Sequence, residues 1–146
     1  KNSLKFSLKY FENHINKKNF ETSYKMSLAA LNAGKAINIS KTTAPHALSY
    51  PFTSHFGIKH GHAVSLTLSD FLNYNFKNLK YSNTDFDLKE RFKIIFNIFK
   101  VASISELERK IKKIATNVGL TLKFRDLNIL KKSDISLILK NINVLN

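Results

Sequence analysis

The sequence contains no cysteine. That excludes a disulfide framework, a thiolate zinc site and a cysteine nucleophile, and it fits a cytoplasmic protein. No apolar run approaches the roughly 18 residues that a membrane span needs. Residues 1–10 lack the apolar segment of a secretory leader. There is no starting methionine, as expected of a piece of a longer protein. Acidic residues are scarce, 10 against 24 Lys and Arg, for a net charge of +14. Such an excess suggests a nucleic-acid or anionic-surface partner. Two features disfavour nucleic acid. The lysines are spread along the chain instead of forming one block, and arginine, the usual reader of guanine edges, occurs only at Arg91, Arg109 and Arg125. What is abundant is apolar: 43% of the residues, with 12 Phe and 5 Tyr. A chain of 146 residues with that composition folds as one domain around a substantial core.

Apolar residues recur at helical spacing and no segment reads as a strand, so an all-α domain of about seven helices is expected. The first helix, Lys1 to Asn16, carries Leu4, Leu8, Phe11 and Ile15 on one face, with Ser3 as a candidate cap. The second, Phe20 to Ile39, has few charges in its middle and small residues at Ala29, Ala30, Ala33 and Gly34. It is expected to be buried nearly all round. A third starts at Thr43 or Ala44 with Pro45 in its first turn. It is kinked by Pro51 and stopped by Gly57. A fourth opens at His60 or Gly61 and runs to about Asn75, with Val64, Leu68, Phe71 and Leu72 inward. Asp85 or Asp87 caps a fifth, through about Phe99. Ser103 or Ser105 caps a sixth, neither with a full capping box, and this helix stops at Gly119. Leu120 to Asn128 reads as irregular, and Ser133 caps a last helix, Asp134 to Ile142.

Both prolines and four of the five histidines fall between Thr42 and Asn75. His46, His55, His60 and His62 lie within seventeen residues. Imidazole is a metal ligand and a general base, so this stretch is where chemistry is expected. His60-Gly61-His62 at a helix start presents two imidazoles, with Gly61 permitting close backbone approach, and His46 can join them. On spacing alone, a metal site and ordinary surface histidines are both open. In a straight hairpin the two helix starts would lie roughly 15 Å apart. A shared ion therefore requires the chain to fold back at Pro51 and Gly57. Two or three histidines also make an incomplete shell, and no carboxylate stands near them before Asp70.

The run PHALSYPFTSHFGIKHGHAV resembles the H-A-x-x-H-P-L-G-x-x-x-x-x-P-H-G pattern of the iron-containing (group III) alcohol dehydrogenase family. The resemblance implies that His46 and His60, fourteen residues apart, are metal ligands. Pro51 and Gly61 match the pattern. Tyr50 replaces a histidine that faces substrate and nicotinamide in the family, Lys59 replaces a proline, and Thr53 stands where glycine is common. HGHAVSLTL is similar to members that reduce phosphonoacetaldehyde and, more distantly, to the HGEAV of dehydroquinate synthases. Lys1 to Asn16, Phe20 to Ser40 and Gly119 to Asn143 resemble flanking parts of the same helical C-terminal domain.

That resemblance implies NAD(P)-dependent alcohol oxidation or aldehyde reduction, with Fe(II) or Zn(II) polarising the substrate oxygen and hydride passing to or from the nicotinamide. Tyr50 and His62 are then candidates for substrate contact or proton relay. His55 and His14 are structural or surface residues. Lys41, Thr42 and Thr43 are candidates for holding an anionic substrate group. The family's other two ligands, an Asp and a His four residues later, would precede Lys1. So would the α/β domain that binds most of the NAD(P), since no glycine-rich phosphate loop occurs here. The chain alone is therefore expected to be inactive, and a homo-oligomer is open. Three alternatives stand beside this one. They are a dehydroquinate synthase-like lyase using the same histidines on zinc, a basic helical nucleic-acid-binding module, and a degenerate non-catalytic domain.

Overall fold

At four of the helix starts among the described residues, side chains satisfy free backbone amides. In the computed structural model, which describes residues 1–142, the helices are α1 (Asn2–Asn16), α2 (Phe20–Ser40), α3 (Ala44–Phe56), α4 (His60–Lys77), α5 (Leu88–Phe99), α6 (Ile104–Asn117) and α7 (Lys132–Lys140). Short 3-10 turns occupy Leu79–Tyr81 and Phe124–Leu127, the second inside the stretch read as irregular. Among the described residues there is no strand. No helix there is long and apolar enough to cross a membrane.

Four helix starts show the local chemistry. Asn19 Oδ1 accepts from Thr22 N–H at 2.8 Å while Thr22 Oγ1 accepts from Asn19 N–H at 3.1 Å, which satisfies two orphan donors of α2. Asp87 Oδ1 accepts from the amides of Lys89 and Glu90 and starts α5. Ser103 caps α6, and as expected the capping box is not full. Glu106 stands three residues on, and its Oε2 accepts from Ala102 N–H at 2.8 Å, one residue before the cap. The cap position of α7 is Lys131 and not Ser133, and Asp134 in the first turn reaches back to it. Asp134 Oδ2 accepts from Leu130 and Lys131 N–H, so the helix opens two residues early, at Lys132. Ser3 lies inside α1, which has no side-chain cap.

Two apolar clusters hold the helices, and α4 runs through both. The first gathers Phe52, Ile58, Ala63, Leu66, Ile129 and Ile138 from α3, α4 and the α7 region. The second gathers Phe92, Phe99, Ile104 and Leu107 from α5 and α6, with Leu72 and Phe76 of α4 against it. The deepest line of α4 is Ala63, Leu66 and Ser69. The expected inward set, Val64, Leu68, Phe71 and Leu72, is half-buried. Lys112 of α6 pairs with Glu108 on its own helix and with Asp70 of α4, tying the two surfaces together.

The second helix departs most from expectation. It packs along α1, and only Thr22 and Ala29 are buried. Phe20, Tyr24, Leu31, Ile37 and Ile39 are exposed. Low charge gave α2 apolar residues around most of its circumference, but α1 covers only one side of it.

Candidate active site

His46 occupies the first turn of α3, after Pro45, whose absent N–H costs nothing there. The helix then passes through Pro51 without interruption. Ser49, Pro51 and Phe52 are sealed, and Phe52 packs on Phe124 with ring centroids 5.6 Å apart. At Gly57 the chain turns left-handed, with φ 65° and ψ 14°, a conformation that suits glycine. Ile58 N–H donates back to Phe52 O at 3.3 Å, and the Ile58 side chain is buried. Lys59 is extended, and His60 opens α4.

This path removes the separation that a straight hairpin would impose. From Ser49 to Phe56 the helix descends seven residues, or roughly 10 Å at 1.5 Å each. Gly57, Ile58 and Lys59 carry the chain back, and Ser49 Oγ and His60 Nδ1 end 3.0 Å apart. His60 therefore arrives beside Ser49, one turn below His46. Of the fold-back expected at Pro51 and Gly57, the left-handed turn at Gly57 is the part seen directly.

Three rings meet at this point. The His46 and His60 centroids are 5.5 Å apart, and those of Tyr50 and His60 are 6.0 Å apart. Tyr50, four residues after His46, shares its helix face and is 44% exposed. Ser49 lies among them with no exposure. Its hydroxyl donates to His46 O at 2.6 Å and stands 3.0 Å from His60 Nδ1. Sequence reading missed Ser49, because a helical serine bonding to the carbonyl three or four residues back is ordinary. Its second partner is eleven residues away around the turn.

The other sequence candidates lie elsewhere. His62 follows His60 by two helical residues and so points about 200° around the axis. Its Nε2–H donates to Thr121 O at 2.6 Å, which ties α4 to the segment after α6. Thr121 Oγ1 in turn bonds Asp126 Oδ2 at 3.0 Å. His55 is exposed in the last turn of α3, and His14 is near the end of α1. Lys41 adopts φ 57° just before α3, and Thr43 caps α3 without a side-chain bond. Lys41 and Lys59, at the approaches to the two helix starts, are exposed.

The electrostatics favour neutral imidazole at His46. Burial lowers its pKa first, and the proximity of His60 lowers it further. Neutral imidazole is the ligating form, so His46 and His60 suit a divalent metal as two nitrogen donors. Among the described residues no group of three or more His, Asp or Glu side chains converges, so such an ion would need further ligands. The apolar cavity of about 350 Å³ between α1 and α4–α6, lined by Leu8, Phe11, Leu72, Ile95, Phe99 and Ile111, contains none of these histidines.

The model of the C-terminal part of the Fe-containing alcohol dehydrogenase family matches residues 2–142. Phosphonoacetaldehyde reductase of Streptomyces viridochromogenes is 47% identical over 47 residues, 32% of this chain and 12% of that protein. The crystal structure of sulfoacetaldehyde reductase from Bifidobacterium kashiwanohense in complex with NAD+ superposes with a TM-score of 0.79 at 28% identity. The match covers 95% of this chain, which spans 35% of that one.

Proposed function

This chain belongs to the Fe-containing alcohol dehydrogenase family, and on that footing we propose that it is the metal-contributing helical part of an NAD(P)-linked aldehyde reductase. The observation that carries the reading is the apposition of His46 and His60, 5.5 Å between ring centroids, made by the return at Gly57–Lys59. His46 and His60 hold a divalent ion, Fe(II) or Zn(II). The remaining ligands and most of the dinucleotide site come from parts of the protein outside these 146 residues, so these residues alone are inactive. When bound, the ion draws electron density from the substrate oxygen and so favours hydride exchange with the nicotinamide.

The chain's own residues do the rest. The Tyr50 phenol, beside His60 and open to solvent, contacts the substrate and exchanges a proton at its oxygen. His62 acts from behind, by fixing the first turn of α4 against Thr121. The substrate class follows from two relatives. Phosphonoacetaldehyde and sulfoacetaldehyde, named in their descriptions, are both short aldehydes with a tetrahedral oxyanion at the far end. Lys41 and Lys59, with the hydroxyls of Thr42 and Thr43, offer positive charge and donors to such a group. We therefore place a phosphonate- or sulfonate-bearing aldehyde first among substrates. A nucleic-acid-binding module would leave the His46–Ser49–His60 arrangement without a purpose.

The test is the metal content of the intact protein, purified without air, beside its His46→Ala/His60→Ala double variant. About one divalent ion per chain is expected, lost in the variant, followed by aldehyde-dependent oxidation of NADH or NADPH by the wild type. An ion-free wild type, or a variant that keeps its ion, would overturn the reading. Metal retention with no aldehyde-dependent turnover would favour the lyase alternative instead.

A further inference from the structure

A serine hydroxyl has one proton and two lone pairs. At Ser49 the proton is committed. The carbonyl of His46 lies 2.6 Å from Oγ, and the side chain is wholly sealed from water. What remains at Oγ is acceptor capacity, and the atom facing it is His60 Nδ1, at 3.0 Å. That distance is ordinary for an N–H donating to oxygen. The contact is therefore made by Nδ1–H, and the lone pair of the neutral ring sits on Nε2.

We propose that Ser49 is a positioning residue that locks His60 in its Nδ1–H tautomer, leaving Nε2 as the nitrogen that donates to the metal. The same hydroxyl bonds the backbone of His46 and the ring of His60, so one sealed atom ties the His60 ring to the helical turn that carries His46. The alternative proton arrangement is costly. If Ser49 donated to Nδ1 instead, the His46 carbonyl would face a lone pair at 2.6 Å with no water to separate them. Free neutral histidine favours the Nε2–H form, so the environment has to supply the preference. Oxygen partners on the second ring nitrogen of a ligating histidine characteristically tune metal affinity. The metal half of this inference rests on the function proposed above, whereas the tautomer half rests only on the hydrogen bonds.

The two halves are tested separately on the intact protein. Histidine labelled with 15N in the ring is incorporated, metal is removed with a chelator, and the His60 resonances are identified by their loss in His60→Ala. The expected spectrum has a protonated Nδ1 and a bare Nε2 at His60. A protonated Nε2 would overturn the proposal with no variant needed. In Ser49→Ala, His60 is expected to shift towards the Nε2–H form, and the affinity for added Zn(II) to fall about 10- to 100-fold. A Ser49→Ala protein with unchanged tautomer and unchanged affinity refutes the positioning role even if the ion itself is confirmed. If the wild type shows the Nδ1–H tautomer but binds no ion, the tautomer assignment is upheld and the proposed function is the part that fails.

Discussion

Two identical substitutions should have opposite signs in this chain. An added Cβ would meet nothing within 4 Å at Gly57 or at Gly34, so neither Gly→Ala change creates a clash. Only the backbone distinguishes them. Gly57 has φ 65°. An alanine there bears roughly 1–2 kcal/mol of left-handed strain, offset by roughly 0.4–1 kcal/mol from the stiffer unfolded chain. The net cost is about 1 kcal/mol. Gly34 lies inside α2, where alanine is favoured by about 0.8–1.0 kcal/mol. The two variants should therefore differ by about 2 kcal/mol. With a urea m value of about 2 kcal/mol/M, their unfolding midpoints separate by about 1 M. Equilibrium urea unfolding followed by circular dichroism reads this directly. A Gly57→Ala protein as stable as wild type would refute the reasoning, because the turn would then not require a left-handed residue.

Further outcomes follow from particular contacts. Phe52→Ala should cost about 3–5 kcal/mol in the same assay, since Phe52 is 2% exposed and packs on Phe124; a cost below about 1 kcal/mol would mean that the first cluster does not support the turn. Asp87→Ala should cost about 1 kcal/mol as a lost helix cap, with Asp87→Asn recovering most of it. The hydrogen bond from Lys112 holds Glu108 below its usual carboxyl value of 4.5. A lowered folded value means stability that is present above the unfolded value and lost as the pH falls through the folded one. Wild type should therefore lose more unfolding free energy than Lys112→Met between neutrality and acid below that value, by less than about 1 kcal/mol for a pair this near the surface. His62→Ala should remove about 1 kcal/mol and speed amide hydrogen exchange at residues 120–124, where the Thr121 tether ends.

The helices were legible because burial on one face imposes a period, and Pro45 and Gly57 were legible because few backbones suit them. The fourteen-residue spacing of His46 and His60 was legible only through resemblance, since helix geometry alone set their helix starts far apart. The missing information was the path of the chain from Gly57 to Lys59, which carries no strong local signal beyond the glycine. Ser49 was illegible for the same reason, its partner being reached only through that return. His62 was a different failure. Once a helix starts at His60, a neighbour two residues on must face away, so the two imidazoles of His60-Gly61-His62 cannot share a side. The exposure of α2 was beyond any local pattern, because burial depends on what else is present to cover a face.

The return segment has a consequence for how this stretch can vary in length. Descent along α3 comes in steps of 1.5 Å, and any residue of the return that runs extended contributes about 3.3 Å. One residue deleted from the ascent leaves His60 about 3 Å short of Ser49. One residue added to the descent swings His46 by about 100°. A whole extra turn, about 5.4 Å, demands about 1.6 extended residues in compensation, which no whole number supplies. Two turns with three extended residues nearly close, an insertion of about ten. Indels between the two histidines are thus quantised in large blocks. The loop between Leu79 and Asp87, which closes no such sum, is free to gain or lose residues one at a time.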